Sequence, residues 1–297
     1  MKASMSASMS ASMRVSMKLS FSTLGCPGWD LATICTRGRL YGFDGVDFRG
    51  YLDILDVTLH PAFTHAVTAT RRQLDQAGLA VSGISSGITL CLPESQAANL
   101  EEARRTITLA QALGSVNVRV FGGGDLSAHP REELVRYGCD CMERILALDG
   151  ARDLHWLFET HDIWVRAQDC RLLLAGLPDP AFGVLWDLGN AMEAGSESPQ
   201  EVLSILQGRV GYTHVKDVVH DPHHPQAMEN GWRYVSPGMG QLPLAESIRL
   251  LQGAGYDGWL VFEHEKRWIP GLPEPEEAFP AFVSWARSLP ADRQGLN

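Results

Sequence analysis

Phe182-Gly-Val-Leu-Trp-Asp187, Ser198-Pro-Gln-Glu-Val-Leu-Ser-Ile-Leu-Gln-Gly208 and Val210-Gly-Tyr-Thr-His-Val215 read in order as strand, helix and strand. The outer runs are short, apolar and rich in β-branched and aromatic residues, as buried strands are. Between them Ser198-Pro-Gln-Glu201 is a capping box with proline at the first helical position, and Gly208 stops the helix. Working outward, the same alternation recurs. Strands are predicted at 18–24, 45–49, 80–85, 116–121, 154–159, 182–187, 210–215 and 258–263. A helix is predicted over 96–113, where Leu100, Ala103, Ile107, Ala110 and Leu113 fall on one face. Pro130, Pro243 and Pro275 read as first-turn prolines, and Gly78, Gly150 and Gly253 as helix stops. Pro280 kinks the last helix or marks its beginning. Strand–helix alternation implies parallel strands with right-handed crossovers, and eight such units close a barrel rather than leave an open doubly wound sheet. The expected fold is therefore α/β, a single-domain (β/α)8 TIM barrel.

Composition narrows the function. Thirty-five acids against 25 Lys plus Arg give a formal charge of −10, which disfavours nucleic acid and anionic membranes as partners. No apolar run is long enough to span a bilayer. The six cysteines, at 26, 35, 91, 139, 141 and 170, include no CxxC pair and read as buried free thiols. Residues 1–17 repeat Ser, Ala and Met without the continuous apolar centre of a signal peptide. They are expected to be a disordered extension, or an upstream start with Met13 or Met17 as the true one. Cytoplasmic location follows by elimination. The barrel is assigned to 18–290 and a short tail to 291–297. The longest connection, roughly 217–241, is rich in His, Pro and Gly and reads as a lid or binding loop. Its His220, His223 and His224 read as surface residues of that loop, with a second metal site as the alternative.

In a parallel barrel the active site is built where strands end. Four adjacent predicted strands end in or near Glu159, Asp187, His214 and Glu263. The intervals are 28, 27 and 49 residues: one βα unit, one unit, and one unit plus the long loop. Each residue alone could cap a turn, hydrogen-bond in the core or face solvent. Four ligand types at four neighbouring strand ends point instead to one shared site. Three carboxylates at one point repel each other unless a cation neutralises them. Oxygen-rich ligation with one imidazole suits Mn2+, Mg2+ or Co2+, with Mn2+ preferred and Zn2+ allowed.

At these residues the chain resembles the xylose-isomerase-like sugar phosphate isomerase/epimerase family, from about Lys18 to Arg287. The resemblance is carried by Gly45-Val-Asp-Phe-Arg49, Arg119-Val-Phe-Gly-Gly123, Glu159-Thr-His161, Trp186-Asp-Leu-Gly-Asn190 and His214-Val-Lys-Asp217. The stretch from Gly255-Tyr-Asp-Gly to Phe262-Glu-His-Glu265 completes it. It implies that Glu159, Asp187, His214 and Glu263 hold one divalent metal and that Glu159 and Glu263 carry protons on opposite faces of a substrate. One position departs: many members have histidine three residues after the strand-six aspartate, and this chain has Asn190. That difference leaves the substrate open but not the metal.

The expected function is thus a metal-dependent sugar isomerase or epimerase acting through a metal-stabilised enediolate on a small polyhydroxylated carbohydrate. An inosose-type dehydratase on the same scaffold is the alternative; a phosphodiesterase or a non-catalytic barrel subunit fits less well. Arg49 is expected to bind a substrate hydroxyl or to form a barrel salt bridge. His161 and Lys216, at the rim, and Asn190 are expected to bind substrate. Gly122-Gly-Gly124 reads as a close backbone approach to the ligand or as turn chemistry. No P-loop or Rossmann fingerprint is present, so no nucleotide cofactor is expected. A homo-oligomer is compatible with this reading.

Overall fold

The computed structural model describes residues 17–190, 197–206 and 208–289. The assigned extension (except Met17), residue 290 and the assigned tail lie outside the described residues. The barrel strands are β1 (Lys18–Ser22), β2 (Gly45–Phe48), β3 (Ala80–Thr89), β4 (Asn117–Phe121), β5 (His155–Glu159), β6 (Phe182–Asp187), β7 (Val210–Val215) and β10 (Trp259–Phe262). All pair in parallel, in the closed order β1-β10-β7-β6-β5-β4-β3-β2. The intervening helices are α1 (Leu31–Tyr41), α2 (Val67–Ala77), α3 (Gln96–Leu113), α4 (Arg131–Leu146), α5 (Ala167–Gly176), α6 (Pro199–Leu206), α7 (Leu244–Gly253) and α8 (Pro275–Ser288). The fold is the expected TIM barrel.

Local signals account for most boundaries. The capping box forms reciprocally: the Ser198 N–H donates to Glu201 Oε2 at 2.8 Å, and the Glu201 N–H to Ser198 Oγ at 3.3 Å. Gly78, at φ 69°, ends α2 in the left-handed conformation that glycine adopts without steric cost. Other signals shift by a few residues. Pro130 and Pro243 immediately precede α4 and α7, while Pro275 opens α8. Gly150 is not a stop, because α4 ends at Leu146 and Gly150 turns the following connection. Gly253 is the last residue of α7. Pro280 lies inside α8, which begins five residues earlier; Phe279 and Phe282, fully buried on either side, hold that helix against the barrel. The long connection folds as an antiparallel hairpin, β8 (Asp217–His220) with β9 (Trp232–Val235), which no sequence signal predicted. Asp217 secures it by accepting N–H bonds from Val218, Gly238 and Gly240 at 2.8–3.0 Å.

Alternation along the strands divides the side chains into two layers. Outward residues such as Phe48, Val118, Trp156, Phe158, Trp186 and Phe262 form the main core against the helices. Inside the barrel, Leu157, Leu185, Tyr212 and Val261 pack as a separate small cluster. Each stands two residues before one of Glu159, Asp187, His214 and Glu263, so the same parity carries all four site residues inward above an apolar floor. Across the interior, Tyr212 donates to Asp47 Oδ2 at 2.9 Å, and Ser82 Oγ lies 2.8 Å from the same phenol and 2.6 Å from Ser20 Oγ. A Cβ on Gly83 would lie 2.6 Å from Asp47 Oδ2 and 2.7 Å from the Tyr212 hydroxyl oxygen, so only glycine fits beside this network.

Candidate active site

Strand register brings the four residues level. Asp187 is aligned with His214, His214 is aligned with Val261, and the Glu263 N–H donates to Val215 O at 3.0 Å. Glu159 ends β5 beside them. All four are buried, and one potential ligand atom from each lies within 4.8 Å of every other. His214 Nδ1 is 3.2 Å from Glu159 Oε1 and 3.1 Å from Glu263 Oε1. Lys216, two residues further along the same inward face, donates to Glu263 Oε2 at 2.6 Å and to Glu265 Oε1 at 3.3 Å. Its ammonium also pairs with Asp187 Oδ2 at 2.8 Å, at an angle that makes no hydrogen bond.

These contacts set the protonation states. Burial and the charge of Glu263 push the Glu159 carboxyl up, but the His214 bond and the charges of His214 and Arg119 outweigh them and bring it to about 2. Burial likewise raises Glu263, yet His214 and Lys216 hold it well below the usual carboxylate range. At Asp187 burial wins, opposed by Lys216 and reinforced by Glu263 and Glu159, and the carboxyl rises to about 7. Burial disfavours charge on His214 and Lys216, but their carboxylate neighbours more than compensate and hold both well above their ordinary values. An imidazolium and an ammonium thus neutralise acids that would otherwise repel one another.

The same arrangement fits a divalent cation. Asp187 Oδ2 and His214 Nε2 are buried without a hydrogen-bond partner, although such atoms are normally satisfied. Three carboxylates and one imidazole form a hard, oxygen-rich donor set. Among the described residues no other group of three His, Cys, Asp or Glu converges in this way. His220, His223 and His224 form no such group; His220 instead packs edge-on against Trp232.

A cavity of about 260 Å3 opens over the cluster and is lined by Glu159, Glu263, Arg49, His161 and Lys216. Two cavities of similar size lie elsewhere, one beside α2 and the start of β3 and one beside β9 and α8, and neither reaches the four converging residues. His161 packs on Phe121, and its Nδ1 is 2.7 Å from Asp162 Oδ1. Arg49 makes no barrel salt bridge among the described residues. Burial, then the like charge of Arg119, lowers its guanidinium to about 10. Asn190 does not line the cavity: its amide donates to Thr160 O at 3.3 Å, and its N–H caps Asp187 Oδ1 at 2.8 Å. Gly122, Gly123 and Gly124 do not line it either. A Cβ on Gly122 would strike the Trp164 ring, and Gly123 O accepts the Trp164 indole N–H at 2.6 Å.

Sequence reasoning passed over six further lining residues, Leu24, Arg119, Phe121, Tyr234, Glu265 and Trp268. Arg119 had a signal, since it interrupts Val118 and Val120 at the inward parity of β4. Tyr234 had none, because the hairpin that presents it was unpredicted.

A family model described as xylose isomerase-like TIM barrel matches residues 37–289. The chain belongs to that family. No curated protein sequence matches it. Among solved structures, a probable 3-DHS dehydratase from Bacillus anthracis is 17% identical. It superposes with a TM-score of 0.72 over 90% of this chain and 98% of its own. A D-allulose 3-epimerase from Methylomonas sp., in complex with D-allulose, is 14% identical with a TM-score of 0.71, covering 92% and 97%. A xylose isomerase-like protein from Mycobacterium smegmatis, in complex with magnesium, is 17% identical with a TM-score of 0.65, covering 91% and 95%. At these identities the likenesses establish the shared fold. No helix among the described residues is long and apolar enough to cross a membrane.

Proposed function

We propose that this chain is a divalent-metal-dependent isomerase or epimerase of a small polyhydroxylated carbonyl compound. The supporting observation is the convergence of Glu159, Asp187, His214 and Glu263 within 4.8 Å beneath a cavity that two of them line. These four residues would hold the cation, for which Mn2+ is our choice and Mg2+ or Co2+ the alternatives. When bound, such an ion stabilises negative charge developing on substrate oxygens and so acidifies the adjacent carbon.

The rest falls to the chain's own side chains. Glu263, ionised and hydrogen-bonded to Lys216, removes the proton beside the carbonyl to leave an enediolate. Glu159, a carboxylate at rest, takes up a proton from solvent and delivers it to the enediolate, and Glu263 releases the proton it removed to solvent. Delivery to the opposite face of the same carbon is epimerisation; delivery to the neighbouring carbon, with the hydroxyl proton passing from one enediolate oxygen to the other, is isomerisation. Lys216, Arg49 and His161 donate to substrate oxygens at the cavity wall. Asn190 could join them only by leaving Thr160 O. The six buried free thiols suit a reducing, cytoplasmic setting.

Dehydration is the second reading, favoured by one observation. A further acid, Glu265, lies 3.3 Å from Lys216 in the same cavity and could supply the proton that an expelled hydroxyl needs. One experiment separates the outcomes. Protein loaded with Mn2+ is incubated with a panel of ketoses and keto-cyclitols in deuterated water and followed by NMR. Deuterium beside the carbonyl of an intact or rearranged sugar is the expected result. An unsaturated or deoxy ketone identifies a dehydratase. Absence of both exchange and product across the panel overturns the reading.

A further inference from the structure

Two guanidinium groups share the cavity wall with one ion-paired carboxylate between them, Glu159, which Arg119 shares with His214. Arg49 directly follows β2 and Arg119 lies within β4; they are 9% and 3% exposed. Both stand over the ring of Phe121, with the guanidinium carbons 6.0 Å and 3.8 Å from its centroid. An aromatic ring accepts no conventional hydrogen bond from a guanidinium, so the N–H groups must find acceptors elsewhere. Few are found. Arg119 Nε and Nη1 are buried without a hydrogen-bond partner, and the nearest carboxylate oxygen, Glu159 Oε2, is 3.5 Å from Nε. The Arg49 guanidinium makes no hydrogen bond or ion pair to the described residues. Glu102, which acts on Arg49 from a distance, is engaged by the Gly87 N–H, and Asp47 by Tyr212. The remaining acids, Asp187, Glu263 and Glu265, are held by Lys216.

Two like charges in a buried pocket, with only the Glu159 carboxylate that Arg119 shares with His214 to offset them, are costly unless a further anion compensates them. A substrate hydroxyl would accept one N–H and leave both charges as they were. A planar or tetrahedral oxyanion would accept several N–H groups in the fork geometry for which guanidinium is suited, and would cancel charge as well. We infer that the substrate carries an anionic substituent, a carboxylate or a phosphate ester, and that Arg49 and Arg119 receive it. This rests on the proposed reading of the site, deepening it from a polyhydroxylated carbonyl compound to a polyhydroxylated acid. It gives the two arginines the role of anchor, fixing which carbon faces Glu263 and Glu159.

Binding to the full chain tests the inference without requiring turnover. Three probes of similar size are titrated calorimetrically at saturating Mg2+: D-gluconate, D-glucose 6-phosphate and the neutral D-glucitol. At least one anion should bind about tenfold or more tightly than D-glucitol, the equivalent of one added charge-assisted hydrogen bond. Preference for D-gluconate alone identifies a carboxylate anchor, and preference for D-glucose 6-phosphate alone a phosphate anchor. In Arg49→Gln the preference should fall to within about twofold, whereas Arg49→Lys, which keeps the charge without the fork, should retain an intermediate part of it. Equal binding of all three probes overturns the inference. So does a preference left intact in Arg49→Gln, which would place the anion on the cation instead. Should Arg49→Gln not fold, the wild-type comparison with Arg49→Lys still decides. The two readings fail separately: anion preference in a protein that binds no Mg2+ retains the anchor and removes the metal chemistry. Mg2+ binding with no anion preference does the reverse.

Discussion

From β5 to β10 the inward positions read Leu157 then Glu159, Leu185 then Asp187, Tyr212 then His214, and Val261 then Glu263. From β1 to β4 they include Ser20, Asp47, Arg49, Ser82, Asn117 and Arg119. One half of the interior therefore sets acids on an apolar floor, and the other fills the same space with small polar groups topped by two cations. The difference lies in what excludes water. Beneath the acids, hydrocarbon removes competing solvent, so each ionic contact above is strengthened and protonation states shift far from their ordinary values. On the other side, hydrogen bonds among Ser20, Ser82, Tyr212 and Asp47 satisfy the buried groups and hold the wall that carries Arg49 and Arg119. On the proposed reading, proton transfer falls to one side and substrate anchoring to the other.

The contrast can be broken most strongly at Glu263. Glu263→Gln should lower kcat by about 10^2- to 10^4-fold, the usual range for a lost general base, while circular dichroism and cooperative unfolding persist. Retained turnover would remove Glu263 from the chemistry. A second test addresses the protons on the acidic side. His214, held above its ordinary value, and Asp187, at about 7, both carry protons below pH 7 in the cation-free protein. A cation must displace them, so its affinity rises with pH. The logarithm of the association constant should climb by about two per pH unit below pH 7 and by about one above it. Calorimetry in buffers of different ionisation enthalpy counts the released protons, and a pH-independent affinity would contradict this electrostatic picture. The smallest effect is expected where the halves meet. Tyr212→Phe leaves Asp47 Oδ2 without its phenol donor and should cost about 1–3 kcal/mol in urea unfolding. Cation affinity should change little, because the phenol touches none of the four converging residues through a hydrogen bond.

Much of this organisation was legible in the residue string. The eight barrel strands fall within a few residues of their predicted positions, because period-two patterns and capping signals act over neighbouring residues. The converging quartet was legible for the same reason: a parity and a βα spacing place a strand-end residue before any contact is known. Arg119 was legible but passed over, since an arginine between two valines on a strand already signals an inward charge. Asn190 shows the opposite limit. Its position after Asp187 suggested a ligand contact, yet its amide turns to the Thr160 carbonyl, a choice made by the neighbouring strand end.

The residue string by itself determined the barrel, its strand order in outline and the acids and imidazole that meet at its mouth, since these follow from local periodicity and chain spacing. Only the tertiary structure decided that Lys216 sits among three of the site's acids, that Arg49 and Arg119 share Phe121, and that the β8–β9 hairpin brings Tyr234 over the cavity. Those arrangements depend on contacts between segments tens to hundreds of residues apart. Barrel closure sets such contacts, and no neighbour in the chain records them.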